Sequence, residues 1–201
     1  MPEYDYLREP LQRYCDKTAD GIPCPGGGSV VALTAALSAA LASMVMNFTI
    51  GKKKYRENEA EMRELLRENE RARARLMGFV ERDSAVYGRI RSARDDPGEM
   101  AAALKESAGL HVEIARSAVD LLKKNETLLE KGNRNLVSDV GISSALAVAA
   151  YRGARINVLI NLKYLDDADF AEECREFFRR TGEDVSSTGE KIHKEVRGIL
   201  K

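Results

Sequence analysis

Tryptophan is absent from this chain, and histidine and cysteine are scarce: His111 and His193, with Cys15, Cys24 and Cys174, in 201 residues. So few scattered ligands cannot build a clustered His/Cys metal site, and no metal is expected. An odd set of cysteines without regular spacing offers no disulfide framework, which fits a reduced, cytoplasmic compartment. An excess of one charge is missing too. Lys plus Arg and Asp plus Glu are 32 each, for a formal net charge of zero, which argues against a general nucleic-acid binder. No alternating apolar–polar run is bounded by turn residues, so no strand is expected. The first residues, Met-Pro-Glu-Tyr-Asp-Tyr, have no signal-peptide character.

What the chain does have is one long stretch without charge, from Pro23 to Gly51, closed by Lys52, Lys53 and Lys54. It opens Pro-Cys-Pro-Gly-Gly-Gly-Ser. Proline fixes φ and glycine frees it, so Gly26, Gly27 and Gly28 are expected in a loop, with Ser29 capping the helix that follows. Consecutive glycines let a backbone approach a ligand, and a helix N-terminus offers free N–H groups. The run is not a P-loop, because no Gly-Lys-Ser/Thr closes it, and no strand precedes it as a dinucleotide fingerprint requires. Ser29 to Gly51 is long enough to span a membrane. Its many Ala, Ser and Thr residues make transfer to lipid weakly favourable, so a central buried helix is expected instead.

The remaining pattern is helical. A first helix is read over Tyr4–Thr18, reset at Pro10, and a second from Ser29 to about Thr49. A third covers Arg56–Ala93, with a solvated Glu/Arg-rich first half. Asp95-Asp96-Pro97 is a start signal for a fourth, to about Lys124. Gly132, Asn133 and Asn135 mark a break, and Ser138 or Asp139 is expected to cap a fifth helix from Val140 to Tyr164. A last helix covers Asp167–Leu200, with a break expected near Gly182. Short connections favour antiparallel neighbours. The fold class is therefore all-α, an up-and-down bundle of about five to seven helices in a single domain over residues 1–201. The second and fifth helices are apolar nearly all round. They must be central or buried against another subunit, so a homodimer is expected.

Asp83 is the main anomaly. The apolar stripe of the third helix runs Leu76, Phe79, Val80, then Val86, Tyr87 and Ile90. Position 83 is its next 3.6-residue step, and a carboxylate stands there. It is either a buried ion pair with an Arg of a facing helix, or an acid whose pKa is raised for proton transfer. Asp139 is explained by helix capping. Asn157 and Asn161, one turn apart beside Gly153, meet either a ligand or a loop such as Asn133 to Asn135. His111 falls on an apolar stripe with Leu104, Ile114, Ala118 and Leu121, and reads as a half-buried core residue. Lys52 to Lys54 are either a solvated helix end or a seat for an anionic tail.

Pro23-Cys-Pro-Gly-Gly-Gly-Ser-Val, the alanine-rich helix and Gly51-Lys-Lys-Lys-Tyr55 together resemble the cyclodeaminase/cyclohydrolase family, found as the C-terminal domain of formiminotransferase-cyclodeaminase and as free-standing relatives. The resemblance continues at Arg82-Asp83-Ser84, at Gly132-Asn-Arg-Asn-Leu-Val-Ser-Asp139 and at Gly153 to Asn161. It implies an all-helical dimeric enzyme of one-carbon metabolism and histidine degradation, using a tetrahydrofolate substrate and neither metal nor nucleotide cofactor. The family reaction closes 5-formiminotetrahydrofolate to 5,10-methenyltetrahydrofolate with loss of ammonia; some relatives hydrolyse the methenyl compound instead. By resemblance, Asp83 is the expected general acid/base and Asp139 a second catalytic candidate. Gly26, Gly27, Gly28 and Ser29 would bring backbone against the folate. Lys52, Lys53 and Lys54 would attract its glutamate tail, polyglutamylated or not. Asn135, Asn157 and Asn161 would shape the polar part of the pocket. Two positions depart from the family pattern: Cys24, where Thr is usual, and His111, where Pro is frequent. No formiminotransferase domain is recognised in the 201 residues, so a formimino substrate is expected to come from another enzyme.

Overall fold

The computed structural model describes residues 5–201, so the start of the first expected helix, at Tyr4, lies outside the described residues. Six α-helices follow in order: α1 (Leu11–Ala19), α2 (Gly27–Thr49), α3 (Glu59–Ser92), α4 (Pro97–Lys131), α5 (Val137–Leu162) and α6 (Ala168–Ile199). Short 3-10 turns at Lys53–Asn58 and Arg134–Leu136 join α2 to α3 and α4 to α5. No strand occurs among the described residues. Successive long helices pack against each other, and α2 packs against α3, α4 and α5, giving the up-and-down bundle that the short connections require.

Several ends differ from the sequence reading for local reasons. Gly27 and Gly28 are not loop but the first turn of α2, and Gly26 is its N-cap. Ser29 therefore does not cap; it lies inside α2, fully buried, with its Oγ 2.9 Å from the Tyr14 hydroxyl of α1. α4 runs a further two turns to Lys131, because Leu128 is also a core residue. α5 starts at Val137 with Leu136 at the N-cap, so Ser138 and Asp139 sit in its first turn and cap nothing. α6 is unbroken at Gly182. The start of α4 is as expected: Asp96 accepts from the N–H groups of Gly98 and Glu99, with Pro97 next to it.

Polar ties set the register of the central helix. Ser38 Oγ donates to the Ser143 carbonyl at 2.8 Å, and Asn125 Nδ2 donates to Ser143 Oγ at 2.9 Å, fastening α2, α5 and α4 together. Asn69 of α3 donates to the Ala39 carbonyl at 2.7 Å and to Ser43 Oγ at 2.8 Å. Such bonds contribute little net stability, but a shifted register would leave these groups buried and unpaired.

α2 and α5 each have two apolar faces. The inner face of α2 is mostly alanine, with Ala32, Ala35, Ala39 and Ala42 fully buried. Gly153 lets α5 come close: a Cβ there would meet Val31 at 2.5 Å. The outer faces are left largely uncovered by the described residues. On α2, Val30, Thr34, Leu37, Leu41, Met44 and Phe48 follow four-and-three spacing along its length, and Leu37 and Phe48 are 50% and 52% exposed. On α5, Ile142, Leu146, Ala149, Ile156 and Ile160 do the same. α2 is long and apolar enough to cross a membrane, with 56% of its most apolar window buried inside the bundle.

Candidate active site

The first turn of α2 lies against the middle of α3, over Asp83, and against α4 at His111. This contact is possible because residue 28 has no side chain. A Cβ at Gly28 would lie 2.6 Å from His111 Nε2 and closer still to the Asp83 carboxyl. Asp83 is where the 3.6-residue period put it, on the inward side of α3, with its side chain 13% exposed. Its partner is not an arginine but His111, whose Nε2 lies 3.5 Å from Asp83 Oδ1. His111 is not half-buried; it is closed off from solvent.

The imidazole is held in one orientation. Nδ1 lies 2.8 Å from the Ser107 carbonyl, which can only accept, so Nδ1 carries the hydrogen and Nε2 turns its lone pair towards Asp83. Nε2 has no other partner. Burial pushes the Asp83 carboxyl above the usual carboxylate range, with His111 and the Ser29 backbone N–H pulling the other way. Burial likewise pushes His111 below the ordinary histidine value, opposed by Asp83 and by the Ser107 carbonyl. Both shifts favour the uncharged forms, a carboxylic acid facing a neutral ring.

The pair opens into a cleft of about 340 Å³ whose walls come from residues 23–26, the first turn of α2, α3, α4 and α5. Among the described residues, Asp83 is the only carboxylate lining it, and no Lys or Arg does so. Tyr87, Ile160 and Tyr164 provide flat apolar walls, while Asn157 and Asn161 supply amides. Asn161 Nδ2 donates to Ser107 Oγ at 3.0 Å and to the Asn157 carbonyl at 2.7 Å. The volume suits a bicyclic heterocycle, with any longer ligand extending beyond it.

Of the expected site residues, the structure brings together Gly26, Gly27, Gly28, Asp83, Asn157 and Asn161, with Ser29 just behind the wall. It does not bring Lys52, Lys53, Lys54, Asn135 or Asp139 to this cleft. They sit at the opposite end of α2, whose 23 residues span about 34 Å. There Asn133 donates to Thr49 Oγ1 and to the Phe48 carbonyl, both at 2.9 Å, and the Arg134 N–H donates to the Tyr55 hydroxyl at 3.1 Å. Asn133 thus fastens to the C-terminal end of α2, and its Oδ1 accepts from the Asn135 N–H, so this turn does not meet Asn157 and Asn161. His111 is the residue that sequence reasoning undervalued. The available signal was that a histidine and an aspartate each occupied an inward position on neighbouring helices.

The bundle and its cleft define a helical enzyme with a buried acid at the N-terminal end of its central helix. The formiminotransferase-cyclodeaminase family model matches residues 10–180, and the chain belongs to that family. It is 34% identical to a methenyltetrahydrofolate cyclohydrolase of Methylorubrum extorquens, across 94% of this chain and 96% of that one. It is 30% identical to the formimidoyltransferase-cyclodeaminase of Rattus norvegicus, across 87% of this chain but only 34% of that longer protein. The crystal structure of a formiminotetrahydrofolate cyclodeaminase from Thermotoga maritima superposes with a TM-score of 0.92 at 33% identity, covering 98% of this chain and all of that one.

Gly28→Ala is expected to push the α2 turn off the Asp83–His111 pair. The cost should be about 1–3 kcal/mol of stability, with turnover reduced by more than about tenfold. Denaturant unfolding and steady-state kinetics check both effects, whereas Gly78→Ala, exposed on α3, away from the cleft and meeting nothing within 4 Å, should not lower turnover.

Proposed function

We propose that this protein is a formiminotetrahydrofolate cyclodeaminase, closing 5-formiminotetrahydrofolate to 5,10-methenyltetrahydrofolate and releasing ammonia by general acid/base catalysis. The observation that carries the reading is a buried carboxyl, uncharged when idle, aimed into a cleft with no other charged group. As N10 attacks the formimino carbon, a tetrahedral centre forms and N10 must lose its proton. The departing amine must gain one before the C–N bond breaks. Once ionised, Asp83 takes the first proton and gives the second, and the third hydrogen of the ammonia enters with the substrate, whose formimino nitrogen binds protonated. The glycine turn brings backbone against the pterin, Tyr87 and Tyr164 flank it, and Asn157 and Asn161 orient its polar edge. The tetrahydrofolate derivative is the substrate, and no resident metal or cofactor is called for. The enzyme works as one domain over residues 1–201 in the cytoplasm, without nucleic acid or membrane.

A second reading, methenyltetrahydrofolate cyclohydrolase, is favoured by the full-length similarity to the Methylorubrum extorquens protein of that name. There water attacks the same carbon and the same carboxyl takes its proton. The methenyltetrahydrofolate absorbance band separates the two. Growth of the band from formiminotetrahydrofolate with ammonia release supports the cyclodeaminase. Decay of added methenyltetrahydrofolate above the buffer rate supports the cyclohydrolase, and no change with either substrate refutes both. Asp83→Asn is expected to lower turnover by about a hundredfold or more while the thermal midpoint is kept.

The enzyme is also proposed to work as a homodimer. The outer stripes of α2 and α5 are apolar over their length, and α2 itself carries no charge. A second copy, related by a two-fold axis across these stripes, would cover them. Its α2 would run antiparallel to the first. That arrangement carries the partner's Lys52–Lys54 end, with Asn135 and Asp139, towards this subunit's Asp83 cleft, where the lysines meet the glutamate tail. Leu37→Glu is expected to give a monomer by light scattering, with turnover down more than about tenfold. A wild-type protein that is monomeric at micromolar concentration would contradict the pairing.

A further inference from the structure

A buried carboxyl in an uncharged cleft has an inherent conflict. Burial keeps it protonated, which makes it a good acid and a poor base, yet proton transfer in both directions requires the carboxylate as well. No Lys or Arg lines the cleft to stabilise the anion. The titratable groups around the pair are Tyr14 of α1, Cys24 of the loop, Tyr87 of α3 and Tyr164 beyond α5; α2 contributes only backbone and Ser29. Among the described residues, His111 is therefore the one cationic partner that this chain itself sets against Asp83, and its geometry suits the task. Nδ1 is committed to the Ser107 carbonyl, and Ser107 is in turn tied to α5 through Asn161. Nε2 is left buried, without a hydrogen-bond partner, facing Asp83 Oδ1 at 3.5 Å. If the side chain served only to fill the core, a leucine would do so without leaving a polar atom unpaired.

We propose that His111 is a positioning residue that holds the resident proton of Asp83, so that the carboxyl can serve as base and then as acid within one turnover. The proposal rests on the acid/base role given to Asp83 above. His111 lines the cleft, but its Nε2 is covered and does not reach the substrate, so its proton passes through Asp83 alone. With the proton on His111 Nε2, Asp83 is a carboxylate and takes the N10 proton as the C–N10 bond forms to the carbon of the protonated formimino group, whose nitrogen thereby becomes a neutral NH2. Asp83 then gives a proton to the amine, the C–N bond to that amine breaks, and ammonia leaves. The pair starts and ends with one proton. Moving that proton between Nε2 and Oδ1 exposes the carboxylate without changing the net charge of the buried pair, which is what makes the carboxylate affordable there.

The test uses the presence of only two histidines, of which His193 is exposed. In ¹⁵N-labelled protein, His111 Nε2 is expected to show a partly protonated signal between about pH 5 and 8, and that signal should disappear in Asp83→Asn, leaving a neutral Nδ1–H ring. In kinetics, His111→Gln is expected to reduce kcat by about tenfold or more, with KM changed less than threefold. Without His111, burial of Asp83 is uncompensated, so the acidic limb of the pH–rate profile should move to higher pH. A His111 signal indifferent to Asp83→Asn overturns the proposal, as does a His111→Gln enzyme with wild-type kcat and pH profile. If His111→Gln does not fold, the labelled wild type and Asp83→Asn decide the matter. If the wild type turns over no folate, the reaction assignment fails, while the shared proton is still read directly.

Discussion

The close approach of the first turn of α2 to the Asp83–His111 pair is the contact on which the rest of the site depends. It buries a carboxyl that would otherwise be wet, and burial gives that carboxyl its raised pKa. It closes His111 Nε2 away from solvent, so that Asp83 is the one group able to exchange a proton with it. It also brings the Ser29 N–H to the carboxyl, a donor that favours the anion. The opposing effects of burial and hydrogen bonding are thus built from one turn of helix. Gly28 permits this because any side chain there would occupy the space of the pair.

The bundle serves to hold that turn in place. α2 is pinned along its inner face by small side chains that allow near backbone approach, and by serine and asparagine ties to α3 and α5, with α5 tied in turn to α4. Its outer face, with that of α5, remains apolar and largely uncovered by the described residues. A helix with two apolar faces has few alternatives in water: it can be covered by another chain or leave a large patch exposed. The same helix therefore links the chemistry at its N-terminal end to the assembly along its length.

Much of this was legible in the sequence, and the parts that were not have physical reasons. Asp83 stood out because a 3.6-residue stripe predicts which positions face inward, and a carboxylate there is costly. Of the two readings left open for Asp83, the facing arginine is not found, because periodicity reports direction and not the identity of a partner on another helix. His111 failed for the same reason. On an apolar stripe it reads as core, and only the tertiary fold shows that its free nitrogen faces Asp83. The glycines were assigned to a loop on backbone freedom, whereas Gly27 and Gly28 are helical and Gly28 serves by lacking bulk. Ser138 and Asp139 carry the residue types of a cap, but the 3-10 turn at Arg134–Leu136 starts α5 earlier than they would. The lysines and Asn135 belong to recognisable motifs, yet motifs do not state at which end of a helix they act.

The reaction at Asp83 is tested most directly by a crystal structure with 5-formyltetrahydrofolate, an unreactive analogue bearing oxygen in place of the formimino nitrogen. The expected result is the pterin between Tyr87 and Tyr164, with the formyl group within about 3.5 Å of the Asp83 carboxyl. Ligand bound elsewhere, with the Asp83 cleft filled only by water, would contradict the assignment of this cleft as the active site.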